Sequence, residues 1–368
     1  VPVLYIFTPI CAIVLIFVIL GRVKIPKVTK SIIVIWLLII FEVFISTFYG
    51  TISEFNRFIF STDSVQYITR FLFLITFILV FYKEKVKLDV FIKYFLIILN
   101  LGMLIGLLQW IPWPGRTFLV ELYPFTRVDI QLEQLNREMH AIRVHGIAQH
   151  ATANGGLATF FFVYGYAIFK YYKRYKFLSI SLMLLSVINI FASQARGGML
   201  ALFSAIILFY AINVYITKKS FKPTIYFITI ISILYLIIKF FYSRGNKFIE
   251  TMVYRWNVLF ESGGGQRIYQ IKNALALLET PGDYLWGLSR AFQNYSGLID
   301  HIEVEPVNIL VLYGLAGFSL QYFLIIFLCV YFLKNIRKSI QNKAVLSLLV
   351  ASLIGLISYQ VFSIGFFF

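Results

Sequence analysis

Residues 31–49 read Ser-Ile-Ile-Val-Ile-Trp-Leu-Leu-Ile-Ile-Phe-Glu-Val-Phe-Ile-Ser-Thr-Phe-Tyr, an apolar run with one charge, Glu42. At a rise of about 1.5 Å per residue, a helix of this length crosses the hydrocarbon of a bilayer, roughly 30 Å thick. Similar runs cover 3–20, 65–82, 88–111, 177–192, 199–216, 224–242, 306–333 and 344–366, with one more that follows Gly156 and ends near Phe169. A chain of 368 residues that is 60% hydrophobic and only 13% charged has too little polar surface to cover a soluble core of that size. The expected fold is therefore an all-α polytopic membrane protein, a single transmembrane domain over 1–368 with about ten transmembrane helices. The orientation worked out below puts Val1 outside, which leaves room for one more span upstream.

A formal charge of +17 raises the question of a nucleic-acid partner, and the position of the charge answers it. Arg22, Lys24, Lys27 and Lys30 follow the first run, Lys83, Lys85 and Lys87 the third, and Lys170, Lys173, Arg174 and Lys176 the fifth. Lys218, Lys219 and Lys222 follow the seventh, and Lys334, Arg337, Lys338 and Lys343 the ninth. Basic residues in every second connection mark those connections as cytoplasmic. The charge thus reports topology, and no nucleic acid is expected. Cys11 and Cys329 both fall in spans, so no disulfide framework exists. A charge at Glu42, inside the second span, is costly unless it faces protein, water or a partner.

Two long polar intervals then lie outside, 112–150 and 243–305. The first contains 129–140, with Ile130, Leu132, Leu135 and Met139 in a surface-helix pattern, and His140, His145 and His150. Histidines five apart do not share a helix face, so a metal site is not expected, and nothing calls for a cofactor. The second interval carries Arg244, Arg255, Arg267 and Arg290, the run Gly263-Gly264-Gly265, and the cluster Asp300-His301-Ile302-Glu303-Val304-Glu305. Ile268, Ile271, Leu275 and Leu278 make 266–279 an amphipathic helix that Thr280-Pro281-Gly282 stops. Arg196 sits in a very short outer link, Ser193-Gln194-Ala195-Arg196-Gly197-Gly198. A topological anchor would explain it, but an outer link has no need of arginine.

These residues carry a resemblance. Arg143-Val144-His145-Gly146 with Asn154 before a span, Ser193-Gln-Ala-Arg-Gly-Gly opening another, and Gly264-Gly-Gln-Arg267 followed by Pro281 and Trp286-Gly287 occur in the order seen in bacterial O-antigen polymerases and ligases. The stretch from Glu305 to Gly317 is also similar to the end-of-loop signature of that superfamily. The resemblance covers roughly 143–317. It implies a GT-C-type membrane fold in the bacterial cytoplasmic (inner) membrane, with the active site facing the periplasm or outside. It also implies transfer of a glycan from undecaprenyl pyrophosphate without an obligatory metal, and a chain-length regulator as partner. Ligases show His-Asn where counting back from Gly314 finds Glu303-Val304, so the polymerase is the closer form and the ligase, with a lipid A-core acceptor, the alternative. A flippase for lipid-linked oligosaccharide is a third reading.

The chemistry of the residues fits that implication. Guanidinium groups bind a pyrophosphate leaving group with two prongs and stabilise its charge as the glycosidic bond breaks. Arg196, Arg267 and Arg143 are the first candidates, then Arg290 and Arg255. His301, Glu303 and Glu305 are the outer groups suited to take the proton of an acceptor hydroxyl. An ordinary polar loop end with Glu305 near a helix N-terminus is the competing explanation of those three. The topology itself is tested at Ser262: Ser262→Cys should react with a membrane-impermeant thiol reagent in intact cells, and labelling only after lysis would reverse the orientation.

Overall fold

The structure, a computed structural model, describes residues 26–83, 87–121, 132–133, 136, 142–148, 150–217, 236, 239–261, 266–297, 302 and 304–364. The expected first span at 3–20, most of the eighth at 224–242, the glycine run at 263–265, and His301 and Glu303 lie outside these residues, as does most of the helix read at 129–140. The described chain is helical, with no strand among the described residues. Its helices are α1 Lys27–Phe55, α2 Thr62–Lys83, α3 Leu88–Trp110, α4 Arg116–Glu121, α5 Ala151–Ala167, α6 Lys176–Ser193 and α7 Arg196–Thr217. They continue as α8 Lys247–Glu261, α9 Gln266–Ala276, α10 Pro281–Trp286, α11 Ser289–Ser296, α12 Glu305–Lys338 and α13 Lys343–Ile364.

Among the described residues, six helices are long and apolar enough to cross a membrane: α1, α3, α6, α7, α12 and α13. The chain is an all-α, multi-pass membrane protein. α2 and α5 fall where spans were expected. α2 carries Asp63, Gln66 and Arg70, and α5 has 17 residues before the backbone widens into a π turn over Ile168–Tyr172. Lys173 and Tyr175, both at positive φ, then reverse the chain into α6. Four differences from the sequence reading bear on function. Arg196 is the first residue of α7 and not part of a link, α9 ends at Ala276, the polar interval after Ser243 contains α8, and α12 is broken at Gly314.

The helices fall into two compact units. One takes the chain up to Lys87 together with Gln266–Leu328, and the other takes Leu88–Gly265 with Cys329–Phe368. In the first, Ile35, Ile39 and Val43 of α1 pack on Ile309, Leu312, Tyr313 and Leu324 of α12. Leu288 and Phe292 join Ala274, Leu278, Ile302 and Val311 in a second core that Phe55 closes. α10 starts at a capping box: Thr280 Oγ1 accepts from the Asp283 N–H at 3.2 Å, while Asp283 Oδ2 accepts from the Thr280 N–H at 2.7 Å. Tyr49 of α1 donates to the other Asp283 oxygen at 3.0 Å, which ties α10 to α1.

The second unit is built on α3, α5, α6, α7 and α13, whose Met103, Ala158, Leu182, Ile190, Phe209 and Val350 belong to one buried cluster. Between two helices in lipid there is no water to expel, so close backbone approach carries the packing. A methyl placed on Gly198 of α7 would lie 2.8 Å from the Gly155 carbonyl carbon of α5. Thr159 Oγ1 stitches the same crossing by donating to Gly198 O at 2.9 Å.

The break in α12 is the sharpest backbone feature of the first unit. Gly314 has φ 61° and ψ −170°, and Gly287, at φ 75°, faces it so closely that a methyl there would lie 2.5 Å from the Gly314 nitrogen. Gly314→Ala should combine the strain of a forbidden backbone region with a methyl 2.3 Å from the Leu285 carbonyl oxygen. Each effect costs about 1–3 kcal/mol. Gly297→Ala, at φ 67° but with open space around it, should lose only about 1 kcal/mol. Unfolding midpoints of the two variants in detergent measure the difference, and equal losses would show that the close approach at Gly314 carries no weight.

Candidate functional site

Residues 142–148 run without secondary structure of their own, so their backbone groups need partners from elsewhere. Neighbouring helices supply them. Val144 N–H donates to Ala192 O of α6 at 3.1 Å, and Asn154 of α5 donates to Val144 O at 3.2 Å. Gln109 of α3 grips Gly146 on both sides, accepting from its N–H at 2.8 Å and donating to its carbonyl at 3.1 Å. Asn189 of α6 accepts from Asn154 at 3.1 Å and donates in turn to Met103 O at 2.8 Å. Three side-chain amides from three helices thus do the work of a ladder.

That clamp places Arg143. Its Nε donates to Ser193 O at 3.3 Å, at the end of α6, and its Nη2 to Thr152 Oγ1 at 3.4 Å, in the first turn of α5. A guanidinium there satisfies a carbonyl that the helix end leaves open and suits its negative pole. α6 stops because Gln194 turns left-handed at φ 50°, and Ser193 Oγ accepts from Ala195 N–H at 3.3 Å. Arg196 follows as the first residue of α7, half-buried, and its Nη1 donates to the Arg255 carbonyl of α8 at 2.8 Å. Arg143, Arg196 and Arg255 therefore belong to one unit, with Arg143 and Arg196 held at the two sides of the 193–196 turn. Gly197 lies beneath Phe362 of α13, whose ring would be 3.2 Å from a methyl at that position.

The remaining candidates belong to the other unit. Arg290, in α11, donates through Nε to Asp63 Oδ2 at 3.3 Å and through Nη1 to Gln293. Tyr313 donates to the same Asp63 oxygen, so one carboxylate is shared by a guanidinium and a phenol. Arg290 is paired with a carboxylate and holds α11 against α2. Arg267 occupies the first turn of α9, with its side chain outside the described residues. Glu305 is half-buried and begins α12, where a carboxylate complements the helix N-terminus. No metal-binding group of His, Cys, Asp and Glu occurs among the described residues. The sequence reading missed Thr152, Gln109, Asn189, Asp63 and Tyr313. Thr152 was within reach of it, nine residues after Arg143 at the mouth of a span, whereas Asp63 lies 227 residues from Arg290.

His145 is buried in the clamp, with Nδ1 2.9 Å from Gly146 O and no partner for Nε2 among the described residues. Burial lowers its pKa, because the charged imidazolium loses its water. The unfolded chain then binds more protons than the folded one below the ordinary histidine value of about 6.5, so stability is full above that pH and falls as the pH drops through it. Unfolding midpoints in detergent should therefore decline between neutral pH and about pH 5, and His145→Gln should flatten that decline. An unchanged profile in the variant would assign the decline to other groups. Compared with known protein families, with curated proteins and with solved structures, the chain matches none.

Proposed function

We propose that this chain is a polymerase of lipid-linked polysaccharide repeat units, a membrane glycosyltransferase that takes its glycan from undecaprenyl pyrophosphate and passes it to a sugar hydroxyl of a second lipid-linked unit. The observation that carries the reading is the pair Arg143 and Arg196. Both guanidiniums are half-buried and oriented by protein oxygens at the 193–196 turn, at the ends of α6 and α7 opposite their basic connections. By the positive-inside rule that end faces outward, where polymerisation of exported units takes place.

In the reaction the acceptor oxygen bonds to the anomeric carbon as the bond to the pyrophosphate oxygen breaks, and the electron pair stays with the pyrophosphate. Fixed guanidiniums stabilise that growing charge without reorganising. The hydroxyl proton needs a base, the role that the sequence offers His301, Glu303 and Glu305. The absence of His-Asn ahead of Pro306 and the presence of Glu305 favour the polymerase over the ligase. A second reading has its own support: the break in α12 and the buried Glu42 are devices of transporters, so a flippase is the rival.

Purified protein in detergent separates the two, since detergent leaves no compartments to transport between. Chain extension from a lipid-pyrophosphate donor supports the polymerase, and its absence with active protein in sealed vesicles supports the flippase. Arg196→Lys keeps the charge but loses the planar, two-pronged donor. One charge-assisted hydrogen bond is worth about 1.5–3 kcal/mol, so extension should slow roughly ten- to a hundredfold, and Arg196→Ala should be slower still. Near-wild-type extension by folded Arg196→Ala would reduce the residue to an anchor.

A further inference from the structure

Glu42 lies in α1 at 3% exposure, and neither of its carboxyl oxygens has a hydrogen-bond partner among the described residues. It faces Gly317 of α12 so closely that a methyl there would lie 2.5 Å from Glu42 Oε2. One turn further along the same face, Ser46 donates to Leu312 O at 2.6 Å, at the break three residues before Gly317. The face of α1 that carries the buried carboxyl is therefore the face that braces the broken helix.

The charged and titratable groups around it are accounted for element by element. α2 offers Asp63, Tyr67 and Arg70; Arg70 is exposed and donates to Gln66. α12 offers Glu305, Tyr322 and Tyr313; the Tyr313 ring meets Tyr67 edge-on at 6.0 Å and its hydroxyl donates to Asp63. Arg290 of α11 is taken by Asp63, and Asp283 of α10 by Tyr49. A bare carboxylate in such a place costs several kcal/mol. A metal ion would need several oxygen ligands, and Glu42 is a single carboxylate. A proton is the occupant that these surroundings fit.

We propose that Glu42 is a proton-binding site whose occupancy sets the break of α12 at Gly314. On release the proton leaves the carboxyl oxygen for water and the electron pair stays on Glu42. The new carboxylate draws the donor one turn along its own face, Ser46. Recruiting Ser46 strips Leu312 O of its donor. Loss of the proton therefore loosens the break.

The test does not depend on the glycosyltransferase reading. Dicyclohexylcarbodiimide, which reacts with protonated carboxyls in apolar surroundings, is applied to the full chain in lipid nanodiscs across a pH series, and the adduct is mapped by mass spectrometry. Amide hydrogen exchange over 308–318 is followed in parallel, corrected for its intrinsic pH dependence. Glu42 should carry the adduct at low pH and lose it as the pH rises, while protection around Gly314 falls about tenfold with the same midpoint. Glu42→Gln should hold the protected form at every pH. No adduct at any pH, or protection indifferent to pH, would leave Glu42 a packing carboxyl and sink the proposal. Should Glu42→Gln not fold, the wild-type curves decide: coincident midpoints support the site, and separated midpoints overturn it.

Discussion

A backbone carbonyl without a donor costs several kcal/mol in a medium without water, and a helix broken within a membrane creates such carbonyls at once. α12 breaks at Gly314, and Val311 and Leu312 are the residues whose oxygens must be met from outside the helix. Leu288 N–H takes the first at 2.8 Å and Ser46 Oγ the second at 2.6 Å. Leu288 can come so near only because Gly50 of α1 has no side chain; a methyl there would lie 2.2 Å from the Leu288 oxygen. The capping box of α10 fixes the approach to Gly287 and Leu288. The first unit is thus arranged around two oxygens.

The second unit meets the same demand with side chains in place of a neighbouring backbone. A segment such as 142–148, lacking helix or ladder, would be expensive next to apolar spans, and Gln109, Asn154 and Asn189 remove that expense. Polar side chains buried between spans therefore need not belong to the chemistry. They explain why Arg143 reaches Ser193 and Thr152 from a loop with little freedom.

Much of this could be read from the chain. Apolar runs located α1, α3, α6, α7, α12 and α13 because hydropathy reports the medium and the medium compels the helix. Their ends were less legible: Arg196 begins α7 directly after the left-handed turn at Gln194, and α1 runs on to Phe55, where Asn56 takes the left-handed cap at φ 51°. α8 was passed over because Lys247–Glu261 mixes charge with aromatic residues and reads as a polar loop. The break at Gly314 was invisible, since Leu-Tyr-Gly-Leu-Ala-Gly resembles any span softened by glycine. Only the contact with Gly287, distant in sequence, gives it a cause. The Asp63–Arg290 pair is hidden for the same reason, because spacing rules see neighbours and not partners far along the chain.

That pairing also separates arginines which the sequence treats alike. Binding of a pyrophosphate needs a guanidinium that is oriented and still positive. Arg290 gives its charge to Asp63, so an anion arriving there would have to displace a carboxylate already helped by Tyr313. The bonds from Arg143 to Ser193 and Thr152, and from Arg196 to Arg255, go to carbonyl and hydroxyl oxygens that orient the two guanidiniums. A carbonyl is also a weaker rival for the donor than a phosphate oxygen, since charge-assisted hydrogen bonds are roughly twice as strong as neutral ones. The proposed reaction therefore draws its leaving-group donors from the turn at 193–196, where two guanidiniums are already oriented.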